Sequence, residues 1–366
     1  MKDTAVNATI EAVENIYFKK DWRNILQQRG VLRIPTKNPL QAEIKDQPDT
    51  IWDLIDRDQI ITVEDENPFL EHIKTNPECV QKMPNDIFFV DRKTKSLFKN
   101  VHSGVCILPE KSASPVFLKD GWNYRPVKNQ PLSWDKILNE SEIKKSMPTN
   151  AVVLIDRYIF SLFDEGLQNV MDLLDTLLPD EFSGEFHVLI VTDDLQTLKD
   201  EKKGFKSIGS AVSEIMDLVP FLDRKYVIRL ELLFVHDTKS EHNPKENYKK
   251  TKDDRDRDAF YYGSMHDRLF LANYYLINAT KGFDAIVEDR NNNLVSKDKQ
   301  DISYQAIYLG IDKKHQSLSE LPVKTRDDFV RAARQFINSP NPLCTFFSDG
   351  VKGSVKDMRN RLIVNE

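Results

Sequence analysis

The apolar positions of this chain change rhythm along its length, and the change marks two parts. Between 51 and 110, short apolar runs alternate with turns: QIITVED, DIFFVD and GVCILPE. Such runs predict strands of a small α/β unit. Residues 1–50 open on an expected helix and then turn polar, punctuated by Pro35, Pro39 and Pro48. Residues 111–148 carry Pro115, Pro126, Pro131 and Pro148 with little periodicity. That stretch predicts a connector packed on something, because Trp122 and Trp134 are poor linker residues. A domain boundary at 148 follows, with an N-terminal α/β domain over 1–148 and a second domain over 149–366.

From 151 the pattern sharpens. AVVLIDRYIF, FHVLIVTDD and YVIRLELLFV are continuously apolar and β-branched, which predicts strands buried on both faces. Between the first two, Val170, Leu173, Leu174, Leu177 and Leu178 recur at helical spacing and stop at Pro179. Between the second and third, Ile208, Val212, Ile215, Met216 and Val219 do the same and stop at Pro220. Strand–helix–strand–helix–strand predicts a mostly parallel sheet with helices on both faces over 151 to about 310. SMHDRLFLANYYLI and SYQAIYLG follow as two further strands. A last amphipathic helix carries Phe329, Val330, Ala333, Phe336 and Ile337. Residues 239–258 interrupt the order with seven basic and six acidic side chains and no apolar stripe, so a solvated, mobile loop is expected.

Composition narrows the classes of function. The chain has 366 residues and a formal net charge of −6, which argues against a broadly basic duplex-DNA surface but leaves room for a local basic groove. Cys79, Cys106 and Cys344 are sparse and form no C-x-x-C, which suits a reducing compartment and excludes a Cys-rich zinc site. There is no apolar run of transmembrane length and no secretory h-region, so the cytoplasm is the expected location. H-E-x-x-H, G-x-S-x-G and G-x-G-x-x-G are absent, and GFKSIGS lacks the lysine and feeding strand of a phosphate loop.

The candidate chemistry lies in MHDRLFLAN. On a strand, residues two apart share a face, so His266 and Arg268 are expected to converge on one phosphate. A histidine attacks phosphorus, and a fixed arginine neutralises the phosphoryl oxygens. Asp156, closing the AVVLI run, is expected at the carboxyl edge of the sheet, where open α/β folds bind ligands. A separate reading takes Glu64, Glu66 and Asp91 as oxygen ligands for Mg²⁺, following two neighbouring strands. His236 and His242 have no partner at ligand spacing, and His187 within FHVLIV reads as a core or rim histidine.

His266-Asp267-Arg268 followed by Asn273 resembles the H-x-K-x4-D motif of the phospholipase D superfamily, here as H-x-R-x4-N. Gly282 lies near that family's glycine turn, and Asp156-Arg157-Tyr158 resembles the opening of single-motif members. The pattern is also similar to the phospholipase-D-like C-terminal domain of MIT-domain proteins. The resemblance implies a phospholipase D-like fold, with His266 as nucleophile, Arg268 as phosphate clamp, Asn273 as orienter and Asp156 as a supporting carboxylate. It implies no cofactor and no metal. It implies a metal-independent nuclease subunit in a bacterial defence or mobile-element system, with nucleic acid or a protein as partner. A single motif implies a homodimer if the site is catalytic. Arginine for lysine and asparagine for aspartate leave a second reading, a catalytically inactive binding module for a protein, nucleic acid or phospholipid headgroup.

Overall fold

A computed structural model describes the strand residues of an N-terminal unit, three isolated residues there (75, 76 and 96), and, further on, 122–139, 149–160, 163–193, 205–236 and most of 268–364. His266, the 239–258 loop, Glu66, Asp91 and His242 lie outside the described residues. The chain divides into two compact units. The smaller holds 1–119 with two short returns at 147–150 and 182–184, and the larger holds the rest. The division in sequence thus falls near 119 rather than 148, because the expected connector supplies elements of the larger unit. Trp122–Tyr124 is an edge strand there, and Trp134–Asn139 is a helix.

In the smaller unit, β1 (Thr4–Ala8), β2 (Gly30–Ile34), β3 (Val63–Asp65), β4 (Ile87–Val90) and β5 (Cys106–Pro109) form one sheet. Its order is β3-β2-β1-β4-β5, with every pairing parallel. Where residues 1–50 are expected to open on a helix, Thr4–Ala8 is the middle strand, paired on both sides; residues 9–29 lie outside the described residues. The order also shows that β3 and β4 are not neighbours: β2 and β1 stand between them, about 14 Å at roughly 4.8 Å per strand, while Glu66 and Asp91 themselves lie outside the described residues.

The larger unit is built on a nine-stranded sheet. Its strands are β6 (Trp122–Tyr124), β7 (Ala151–Ile155), β8 (Glu185–Asp193), β9 (Val227–Val235), β10 (Leu269–Ala272), β11 (Tyr275–Ala279), β14 (Ile302–Ala306), β17 (Cys344–Ser348) and β18 (Val351–Gly353). Two small hairpins stand apart, β12 (Ile286–Glu288) with β13 (Leu294–Ser296), and β15 (Gly310–Asp312) with β16 (Ser317–Ser319). The order is β18-β17-β9-β8-β7-β10-β11-β14-β6.

Only β7–β8 and β8–β9 are parallel, and the other six pairings are antiparallel. The expectation of a mostly parallel sheet is therefore corrected to a mixed one. Helical crossovers join only the three continuously apolar strands. SMHDRLFLANYYLI is not one strand but the hairpin β10–β11, and a tight connection can only join antiparallel neighbours.

The three apolar runs do form the middle of the sheet, and β7 and β8 are buried along nearly their whole length. Alternate residues face opposite layers. Ala151, Val153, Ile155, Leu189, Val191, Leu233 and Val235 pack with Phe329, Ala333 and Phe336 of the helix Leu321–Ile337 and with Val355, Met358 and Ile363 of the C-terminal tail. The crossover helices are α2 (Phe163–Leu177) and α3 (Ile208–Leu218), α1 being Trp134–Asn139 and α4 Leu321–Ile337. α2 connects β7 to β8 and α3 connects β8 to β9, and the alternate residues of these strands turn to the other face. There Phe234 stacks on Phe160 at 5.5 Å between centroids, and Phe160 meets Phe205 edge-on at 5.8 Å.

Candidate phosphate-binding rim

The sheet registers gather several strand ends on one edge. Asp193 pairs with Val235, Leu269 with both Ile155 and Asn278, and Ala279 with Ile302. The carboxyl ends of β7, β8, β9 and β11 and the amino ends of β10 and β14 therefore share a rim. Polar residues gather there because each strand must leave the apolar layer at its end.

Asp156 is at this rim, as expected from the sequence, and is buried. Its Oδ1 accepts from the Tyr158 N–H at 2.9 Å, and its Oδ2 accepts from the Phe283 N–H at 3.0 Å. The carboxylate thus closes the turn after β7 and ties it to the turn after β11. Gly282 makes the second turn possible. Its φ of 111° is a conformation that side chains disfavour, and its N–H donates to the Ala279 carbonyl at 3.0 Å. Phe283, fully buried, then packs on Trp134 at 6.0 Å.

Arg157 does not pair with Asp156. Its Nη2 and Nε donate to Asp193 Oδ2 at 2.9 and 3.2 Å, cross-linking the ends of β7 and β8. Asp193 is completely buried. A buried carboxylate with a two-pronged arginine contact is a rigid, internally neutral strut.

Arg268 stands differently. Its Nη1 donates to the Thr280 carbonyl at 2.6 Å, and its guanidinium carbon lies 5.3 Å from the centre of the Tyr158 ring. Among the described residues no carboxylate lies within ion-pair distance of it. Arg268 as a residue is half-buried.

Two expectations about this motif change. β10 begins at Leu269, and Arg268 has a φ of 47°, left-handed for a residue with a side chain. Strand alternation therefore begins at Leu269, and Arg268 itself is not in extended conformation. Asn273 is not at the rim. β10 runs its whole length between Arg268 and Asn273, about 16 Å at roughly 3.3 Å per residue. Asn273 is fully buried, and its Oδ1 accepts from the Ala151 N–H at 3.4 Å at the far end of the sheet. It anchors the start of β7 and does not orient a group beside Arg268.

Among the described residues, the other histidines, His236 and His187, fall away from Arg268. His236 follows β9 on the same rim, with Nε2 3.4 Å from Thr345 Oγ1. Three strand spacings, about 14 Å, separate β9 from β10. His187 belongs to the opposite end. Its Nδ1–H donates to the Arg359 carbonyl at 2.6 Å, and burial is the main cause that pushes its pKa down to about 4. No group of His, Cys, Asp and Glu able to hold a metal occurs among the described residues, and no described helix is long and apolar enough to cross a membrane.

Tyr158, Asp193 and Thr280 were not candidates on the sequence. Their common signal is position, since each closes or follows a strand ending at the rim. That signal is readable only once the strand order is known. Comparison with protein-family models, curated proteins and solved structures finds no match for this chain.

Proposed function

We propose that the larger unit is a phosphodiester-binding module directed at nucleic acid, of the phospholipase D-like kind that its H-x-R motif resembles, with Arg268 as the phosphate-holding cation. The observation that carries the reading is the state of Arg268. It is fixed by the Thr280 carbonyl and the Tyr158 ring at a sheet rim, without a carboxylate partner among the described residues. An arginine held on one edge presents its other N–H groups to an oxyanion in a planar fork. The adjacent cation, Arg157, is occupied by Asp193, which leaves Arg268 as the group facing a ligand.

Binding ranks ahead of catalysis because Asn273, the residue meant to orient the nucleophile, stands at the other end of β10. The test is fluorescence anisotropy of a labelled single-stranded oligonucleotide. Arg268→Ala should weaken binding about tenfold, in line with the loss of one charge-assisted contact. Unchanged affinity in Arg268→Ala sinks the reading. The same mixtures in EDTA, followed by electrophoresis, decide on turnover. Cleavage by the wild type that is lost in His266→Ala would make the module the metal-independent nuclease expected from the motif.

A further inference from the structure

The geometry points to Tyr158 as the positioning residue of the Arg268 site, an inference that rests on the phosphate reading above. Its backbone is set by Asp156, whose Oδ1 accepts the Tyr158 N–H at 2.9 Å. Asp156 also holds the Phe283 N–H, so one buried carboxylate fixes the turn that bears Tyr158 and the turn beyond Thr280. Between these two turns lies Arg268.

One face of the problem is electrostatic. The guanidinium carbons of Arg268 and Arg157 lie 5.3 and 5.9 Å from the centre of the same ring. Arg157 is neutralised by Asp193, while Arg268 draws its holding contacts from the ring and from one carbonyl. An aromatic ring attracts a cation without neutralising it. A carboxylate in that place would orient Arg268 equally well but would compete with phosphate for its donors. Tyr158 therefore does what an acid cannot, holding the fork still while leaving its charge for the ligand.

The other is conformational. Arg268 has a φ of 47°, a conformation that costs free energy in a residue with a side chain. The contacts to Tyr158 and Thr280 help hold it there. Without the ring, the arginine keeps its charge but samples other directions, and a ligand must restrict it on binding.

Charge and position separate in a salt series. With a labelled oligothymidylate, Arg268→Ala should lower the slope of log affinity against log salt by about 0.7, the share of one phosphate contact on a single strand. Tyr158→Leu should weaken binding about fivefold with the wild-type slope, because the charge remains. Tyr158→Phe keeps the ring and should bind like the wild type. A second reading needs no variant of Tyr158. In the free wild-type protein the Arg268 Nε–H proton, assigned by its disappearance in Arg268→Lys, should be shifted upfield by the ring current of Tyr158.

If the wild type does not bind, or Arg268→Ala binds like it, the phosphate reading fails and this inference falls with it. If Arg268→Ala behaves as expected but Tyr158→Leu binds like the wild type, the phosphate reading stands and Tyr158 has no positioning role. An Arg268 proton at its unshifted position overturns the inference independently, including where Tyr158→Leu does not fold.

Discussion

Replacing Glu231 by glutamine should remove one contribution to stability that the larger unit otherwise loses as pH rises from 4.5 to 7. Glu231 is 1% exposed in the middle of β9. Its two oxygens accept the backbone N–H groups of Arg359 at 2.7 Å and Asn360 at 3.0 Å, pinning the C-terminal tail to the sheet. Asn360 continues the latch, donating from Nδ2 to the Val152 carbonyl at 3.0 Å. Burial outweighs these contacts and pushes the Glu231 pKa up from 4.5 to about 7. The folded state therefore holds the proton more tightly than the unfolded chain. The resulting stability is complete below 4.5 and is lost as pH rises toward 7, with a limit of about 1.4 kcal/mol per pH unit. Across the whole window the loss is about 3 kcal/mol. His187 acts in the opposite sense. Its depressed value, about 4, takes stability away as pH falls from 6.5, so the wild type alone shows a blunted profile. The difference between wild type and Glu231→Gln removes the histidine contribution, which both proteins share. The assay is urea unfolding at a series of pH values, read by hydrogen exchange in peptides from β9 and the tail so that the larger unit reports alone. A wild-type-minus-variant difference that falls by about 3 kcal/mol from pH 4.5 to 8 is expected. Parallel profiles would refute the assignment of a proton to Glu231.

Asn273→Asp restores the residue of the resembled motif but places an anion at a fully buried position, so a loss of about 3–5 kcal/mol in thermal or urea unfolding, with no gain in phosphodiester cleavage, is the expected outcome. Asp193→Ala leaves the Arg157 guanidinium buried without its carboxylate and should destabilise by about 3–5 kcal/mol, while Arg157→Met with Asp193→Leu should recover most of that loss on the same urea scale. An Asp193→Ala protein as stable as the wild type would mean that the strut between β7 and β8 is not formed in solution.

The sequence by itself determined which segments are layers. The runs around Val152, Ile190 and Leu232 are apolar without alternation, and only a strand covered on both faces is served by that pattern. The helices ending before Pro179 and at Pro220 were legible for the same local reason, since a 3.6-residue stripe and a proline stop need no knowledge of the partner. Asp156 was legible as a rim residue because it closes such a run. What only the tertiary structure decided is which ends meet. Strand order carries no local signature, so only the structure could show that β3 and β4, read from the sequence as neighbours, are separated by two strands. Antiparallel pairing of β10 with β7 and β11 put Arg268 beside Tyr158 and Thr280, residues 110 and 12 positions away in number, and sent Asn273 to the opposite edge. A motif read along the chain treats five residues as near neighbours. An extended strand turns those five residues into the full depth of the sheet, and that geometry separates Arg268 from its expected orienter.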